Sequence, residues 1–264
     1  MTELISLPRL EALMDAAWPA PDRYDTGEWV LRAADGVTQR ANSVWPRSGP
    51  GGTRHKWPAL LRDARAWYRS RRLPLIFQVF DNAGSDALNA VLDEEGFTRQ
   101  SETLILVRGG DALVPDPGVE LSAGPTDEWL RLWWSVDGRG DEDSLAAARG
   151  ILEGCQSLYA LVRDDDGLPA AVGRLAVPPD GADGGADSWG GLYCMVTRPD
   201  ARRRGYANRV LRSLLGAAKG LDGYWLLVTA ANSGARDLYA RAGFRETGRY
   251  HYRQERPKRH LTGC

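Results

Sequence analysis

Arg202-Arg203-Arg204-Gly205-Tyr206-Ala207 is the stretch on which the fold turns. It follows an apolar run, Leu192-Tyr193-Cys194-Met195-Val196, and a turn, Thr197-Arg198-Pro199-Asp200. It precedes Asn208-Arg209-Val210-Leu211-Arg212-Ser213-Leu214-Leu215, whose apolar residues recur at helical spacing. The order is strand, basic glycine-containing loop, helix. A helix start leaves backbone N–H groups unpaired at the positive end of a dipole. Gly205 and Ala207 keep side chains away from those groups, so a pyrophosphate can rest on them, and the arginines add charge. The stretch predicts a phosphate cradle and hence a nucleotide-containing cofactor. The plainer alternative is an ordinary charged helix start.

Working outward, helices are predicted over 7–17, 57–70, 84–94, 126–136, 143–153, 207–219 and 233–242 from their apolar spacing. Strands are predicted at 27–34, 37–45, 75–80, 98–107, 119–122, 157–163, 169–177, 189–196, 224–229 and 244–253. Asp164-Asp165-Asp166-Gly167 reads as a hairpin turn, 109–118 as a Gly/Pro/Asp-rich linker, and 178–187 as a flexible loop that could serve as a lid. The chain also repeats itself. Phe77-Gln78-Val79-Phe80-Asp81-Asn82, Leu88 and Gly96-Phe97 parallel Leu227-Val228-Thr229-Ala230-Ala231-Asn232, Leu238-Tyr239 and Gly243-Phe244. Each copy is strand, Asn, short helix, Gly-Phe, strand. In place of the basic loop the first copy has Ser48-Gly49-Pro50-Gly51-Gly52-Thr53-Arg54.

Arg202-x-x-Gly205-x-Ala207, together with Asn232-x-x-Ala235-x-x-Leu238-Tyr239-x-x-x-Gly243-Phe244, resembles the GCN5-related N-acetyltransferase (GNAT) family. The resemblance covers about 118–253. It implies an α/β (α+β) protein of two GNAT-like domains, each with a mixed, mostly antiparallel sheet flanked by helices. The expected boundaries are 1–108 for a degenerate first domain, 109–117 for a linker and 118–264 for the catalytic domain.

The resemblance also implies an acetyl-CoA site. Backbone groups of Met195 and Val196 would pair with the pantetheine arm where two central strands splay apart. Arg202, Arg203, Arg204, Gly205, Tyr206 and Ala207 would hold the pyrophosphate, with Asn232 and Tyr239 close by. Tyr239 is the catalytic candidate, because a phenol is protonated at neutral pH and can donate to a leaving thiolate. Its plainer reading is a core aromatic. The first half has Asn89 at that position, so a second transfer site is not expected there.

No carboxylate lies on the strand Trp189-Gly190-Gly191-Leu192-Tyr193, so a water relay through backbone carbonyls is the expected route for the amine's proton; Asp187, Glu128, Asp137, Asp141 and Glu142 are the side-chain alternatives, and each reads more simply as a surface charge. Arg40, Asn42, Trp133, Trp189 and His251 are the residues expected to meet the acceptor. Trp129 and Trp133 share a helix face and could equally be core. Tyr250 and Tyr252 fall on one face of the last strand, His251 and Arg253 on the other. Gln39-Arg40-Ala41-Asn42-Ser43-Val44 is similar to a segment of two-part acetyltransferases assigned as N-acetylglutamate synthases. There Arg40 and Asn42 could reach a carboxylate or simply satisfy backbone.

The reading is an N-acetyltransferase acting on a small primary amine or amino acid. Its alternatives are an N-acetylglutamate synthase-like enzyme, an antibiotic, polyamine or protein N-acetyltransferase, and a non-catalytic CoA-binding module. Composition narrows the partners. Thirty-four basic residues against 35 acidic ones give a formal charge of -1, unlike a nucleic-acid binder. Three scattered cysteines, Cys155, Cys194 and Cys264, suit neither a disulfide framework nor a zinc site, so no metal is expected. No run is long and apolar enough for a membrane span, and the first residues lack a leader pattern, so a cytoplasmic monomer or homodimer is expected.

Overall fold

The computed structural model describes residues 5–47, 54–111, 113–179 and 187–256. The first half's loop at 48–53, most of the expected lid at 178–187, and Cys264 lie outside the described residues.

Helix α1 (Leu7–Ala17) carries a proline in its first turn, where no N–H is needed, and buries Leu10, Leu13, Met14 and Ala17. Strands β1 (Asp22–Asp25), β2 (Trp29–Ala33) and β3 (Trp45–Pro46) form a small antiparallel sheet. The strand expected over 37–45 is absent until its last residue. The buried side chain of Asn42 binds the backbone of 34–38 and curls this segment into turns. Then follow α2 (Trp57–Ser70), β4 (Ile76–Phe80), α3 (Ser85–Glu94) and β5 (Phe97–Gly109).

The second half runs β6 (Val119–Ser122), α4 (Asp127–Asp137), α5 (Glu142–Glu153), β7 (Ser157–Arg163), β8 (Pro169–Ala176), β9 (Trp189–Thr197), α6 (Tyr206–Ala217), β10 (Gly223–Thr229), α7 (Ser233–Arg241) and β11 (Arg245–Glu255). Thr126, Asp141 and Asn232 cap α4, α5 and α7 by accepting from the N–H groups of Trp129, Ser144 and Ala235. The linker does not hang free. Ser213 of α6 accepts from the Asp116 N–H, and Arg209 binds the Asp116 carboxylate at 2.9 Å.

One mixed, mostly antiparallel sheet of eight strands runs in the order β4-β11-β5-β10-β9-β8-β7-β6. It crosses the expected boundary. β5, which ends the first half, lies between β10 and β11, and β11, which ends the second, lies between β5 and β4. Each of these strands follows a short helix that stops at a glycine with positive φ, Gly96 or Gly243. That left-handed position lets the helix end and the chain reverse into a strand. The two halves therefore exchange their last strands about an approximate twofold axis between β5 and β11. On the far side of β4, Val44 makes a parallel bridge with Phe77, matching the parallel pairing of β9 with β10.

Helices α1, α4 and α5 bury Leu10, Met14, Trp129, Trp133 and Ile151 against one face of the sheet. Helices α6 and α7 bury Val210, Leu211, Leu214 and Tyr239 against the other. A third cluster, around Trp57, Leu61, Tyr68, Phe77 and Leu92, joins α2 and α3 to β4. Among the described residues no helix is long and apolar enough to cross a membrane.

His251 is 1% exposed on β11, and its Nε2 lies 3.1 Å from the Asn89 Oδ1. Burial, reinforced by the Arg99 charge, pushes its imidazole down from 6.5 to about 4. Below pH 6.5 the unfolded chain takes up a proton here that the folded chain refuses. Folding stability should therefore fall as pH drops from 6.5 to about 4, by up to ~3 kcal/mol from this group. Denaturant titrations of the wild type and His251→Asn across that interval check it: the wild type should lose more stability on acidification than the variant.

Candidate active site

Strand β9 is built to break its sheet. Through its first half it pairs in parallel with β10, from Trp189↔Gly223 to Leu192↔Leu226. Gly191 and Gly223 allow this close approach, since a Cβ on either would meet an indole ring, Trp225 or Trp189. Then Cys194 takes a φ of 54°, and against β8 the register shifts between Val172↔Val196 and Arg174↔Tyr193. Two residues, Cys194 and Met195, thus oppose Gly173 alone. This is a β-bulge, which bends the strand. β9 continues to Thr197 and β10 to Thr229 with no further pairing between them. Met195 and Val196 line this opening in mid-sheet, where unpaired backbone groups call for a polar partner.

Past β9 the chain makes a short 3-10 turn, Pro199–Ala201, and reaches the basic loop. Arg198 anchors the turn, binding Asp200 at 2.7 Å, Asp164 at 2.6 Å and the Pro169 carbonyl at 2.8 Å. Arg203 and Gly205 both have positive φ, 67° and 85°. Gly205 stands at the helix start, with nothing within 4 Å of where a Cβ would sit. Among the described residues no acceptor pairs with the N–H groups of Arg203, Arg204, Gly205, Tyr206 or Ala207. Arg202, Arg203 and Arg204 are exposed and form no ion pair there. Open amides, a helix start and guanidinium groups without an ion pair fit a pyrophosphate. Tyr206 contributes its backbone, because its ring is buried beside Arg209. The amide of exposed Asn232 caps α7 through its oxygen.

Tyr239 is 7% exposed on α7, edge-on to Phe244, and its hydroxyl has no hydrogen-bond partner among the described residues. Burial, with help from the Asp137 carboxylate, raises its phenol pKa well above the usual value. Asp137 ends α4 with its side chain exposed, yet the protein packed around it partly desolvates the carboxyl and raises its pKa against the opposing pull of Arg139 and Arg202. Its charge is also felt by the Cys194 thiol, which burial pushes up to about 12.

On the opposite face of the sheet, Arg40 sits over the rings of Trp18 and Tyr193, 5.2 and 5.1 Å from their centroids. Tyr250 and Tyr252 stand together beside it, their rings 5.4 Å apart, on one face of β11 as their alternation predicts. Trp18, Tyr193, Cys194 and Arg174 were not expected at this place. Each lies far from Arg40 in the chain and belongs to no short motif.

The other residues expected to meet an acceptor stand elsewhere. Trp133 is 4% exposed in a stack between Trp129 and Trp134. Trp189 is 3% exposed and packs on Gly223. His251 points to Asn89, on the β11 face opposite Tyr250 and Tyr252. Asn42 is spent on its own loop: its oxygen accepts from Ala34 and Gly36, and its nitrogen donates to the Ala34, Val37 and Thr38 carbonyls. Among the described residues no cluster of His, Cys, Asp and Glu is placed to hold a metal ion.

A bulged strand that parts from its parallel neighbour, followed by an anion-binding helix start, defines a GCN5-related N-acetyltransferase. More particularly, the chain belongs to the family described as "Probable histone acetyltransferase Rv0428c C-terminal", which matches residues 6–253. It is 28% identical over 260 residues to the "Uncharacterized N-acetyltransferase YobR" of Bacillus subtilis, covering 94% of this chain and 98% of that protein. It is 31% identical over 214 residues to the "Probable histone acetyltransferase Rv0428c" of Mycobacterium tuberculosis, covering 80% of this chain and 61% of that one. Its fold is similar to a GCN5-related N-acetyltransferase from Kribbella flavida (TM-score 0.70, 21% identity, 97% and 98% of the two chains). It is also similar to a tandem GNAT protein from the clavulanic acid biosynthesis pathway (TM-score 0.64, 13% identity, 96% and 89%).

If Asn42 is structural, Asn42→Ala should destabilise the fold by ~3 kcal/mol, because it strands several buried backbone groups at once. Urea unfolding measures this, and a loss under ~1 kcal/mol would contradict the assignment.

Proposed function

We propose that this chain transfers the acetyl group of acetyl-CoA to a primary amine on a small molecule or amino acid. The observation that carries the reading is the convergence of three features: the gap between β9 and β10, the open amides of Arg203 to Ala207, and the Tyr239 phenol. The amides and the three arginines would hold the pyrophosphate. The β9 edge at Met195 and Val196 would pair with the pantetheine arm, and Asn232 and Tyr239 would flank it. Acetyl-CoA supplies a thioester that an uncharged amine can attack directly.

In that reaction the amine must lose a proton and the departing sulfur must gain one. Tyr239 stays protonated at any physiological pH, because its pKa is raised. Its hydroxyl, with no partner of its own among the described residues, is free to donate to the sulfur. Asp137 is the carboxylate whose charge reaches both Tyr239 and Cys194, and its raised pKa makes it a better proton acceptor than an ordinary aspartate. It would take the amine's proton through water.

The first half is assigned no transfer of its own. At the place of Tyr239 it has Asn89, whose oxygen is already bound by Arg253 at 3.0 Å and by His251. We assign the domains as 1–108, 109–117 and 118–264, with strand exchange between the outer two. Because that exchange happens inside one chain, a monomer suffices. A protein lysine is the second reading, favoured by the name of the Mycobacterium tuberculosis relative, a probable histone acetyltransferase.

CoA-thiol release with an amine panel and a lysine-bearing peptide tests the assignment. Tyr239→Phe should lower kcat by ~100-fold with acetyl-CoA affinity unchanged. An unchanged kcat would remove Tyr239 from the chemistry. Asp137→Asn should lower kcat/KM for the amine most steeply on the acid side of neutrality, where so little of the amine is uncharged. A profile that keeps its wild-type height and shape would leave proton removal to water alone.

A further inference from the structure

We propose that Arg40, contributed by the first half, binds a carboxylate on the acceptor, so that the enzyme's acceptor is a free amino acid rather than a simple amine or a peptide lysine. This rests on the acetyl-transfer reading above and names the substrate class of the same site.

The guanidinium of Arg40 lies beside four aromatic side chains, Trp18, Tyr193, Tyr250 and Tyr252. It forms no ion pair among the described residues, and its Nε is sealed from solvent without a hydrogen-bond partner. A second guanidinium, Arg174, faces the same Trp18 and Tyr193 rings at 5.5 and 5.7 Å and is fully buried. Its bonds go to the neutral carbonyls of Ala17 (3.1 Å) and Leu152 (2.9 Å), so it too has no counter-ion among the described residues. Two acids that pack into the same interior region as Arg40, Asp15 and Glu11, are engaged. Asp15 is held by Arg23 at 2.7 Å and by Arg32 at 3.1 Å, and Glu11 accepts from the Trp45 indole at 2.8 Å.

Two positive charges without an anion, away from bulk water, are costly unless something pairs with them. A structural ion pair would have solved this with an Asp or Glu, and the described residues provide none. A carboxylate matches the planar fork of an arginine and recovers that cost when it binds. Arg40 also keeps part of its surface accessible, unlike Arg174, so a ligand can reach it. Its position selects the acceptor rather than the donor. It stacks on Tyr193, one residue before the Cys194 bulge where β9 leaves β10, and on the sheet face opposite α6 and its phosphate cradle. An amino acid whose carboxylate rests on Arg40 would present its amine toward the gap from the side that the pyrophosphate does not use.

The test compares each of the twenty amino acids with its own α-amide. Turnover is read as CoA-thiol release, and binding to the CoA-loaded protein is read by calorimetry. At least one acid should be favoured over its amide by on the order of 10- to 100-fold in both kcat/KM and affinity. Arg40→Met should erase that preference by raising KM for the acid, with KM for acetyl-CoA unchanged. Arg40→Lys keeps the charge without the fork and should fall between the two, and thermal unfolding of both variants confirms that they fold. If no acid is bound or turned over better than its amide, or if Arg40→Met discriminates as the wild type does, the proposal is overturned. A lysine peptide preferred over free lysine would overturn it as well. Should nothing be acetylated while the acids still bind in preference to their amides through Arg40, the carboxylate site stands and the acetyl-transfer reading falls.

Discussion

Everything at the site depends on the pairing of β5 with β11. That ladder brings the two halves into one sheet and sets β5 along the far edge of β10. β10 is bonded to β5 over its full length, from Gly223 to Thr229, but to β9 only as far as Leu226. A strand released on one edge stays straight if the other edge is held, because its backbone groups still have partners there. β9 is held in the same way by β8 through Thr197. The opening between β9 and β10 is therefore a stable break between two supported strands and needs no strained residue beyond the bulge at Cys194.

The two sides of the sheet divide the chemistry of the proposed reaction. On the side of α6 and α7 lie the open amides, the exposed arginines at 202–204 and the Tyr239 phenol. On the side of α1, α4 and α5 lie the aromatic rings around Arg40 and Arg174. Donor and acceptor would then meet through the gap without competing for the same positive charge. On the proposed reading the first half would have no site of its own and would supply instead Trp18, Arg40 and the strand β5. At its own equivalent position, Arg253 binds Asn89, Asp93 and the Phe97 carbonyl, filling the place with a structural network.

Much of this was legible in the sequence, and for identifiable reasons. Helix α2 has a clear apolar face, and strands β6 and β7 are short runs bounded by turn residues, so 57–70, 119–122 and 157–163 could be read to the residue. The cradle at 202–207 is a local object, made by neighbouring residues, and a short motif describes it. The segment 37–45 reads as the second arm of a hairpin because it follows strand 27–34 and the turn Asp35-Gly36, while in the fold Asn42 offers the backbone a better set of hydrogen bonds than any neighbouring strand. Strand alternation gives the face of His251 but not what that face meets; the neighbours of His251 and Trp189, Asn89 and Gly223, come from distant segments. The exchange of β5 and β11 was not legible either. Both read as strands, but which edge a strand joins is decided by packing across the whole chain.

The exchange also orders events in time. Arg253 and Asn89 are 164 residues apart, and β11 is the last element of the sheet to leave the ribosome. Until it arrives, β4 and β5 lack their shared neighbour and present open hydrogen-bonding edges, Ile76–Phe80 among them, of the kind that recruit other chains. The first half cannot close by itself, and the second lacks its full sheet without β5. Each half needs the other's last strand, so a ribosome that stalls before residue 245 releases a chain in which β4 has lost its link to the rest of the sheet.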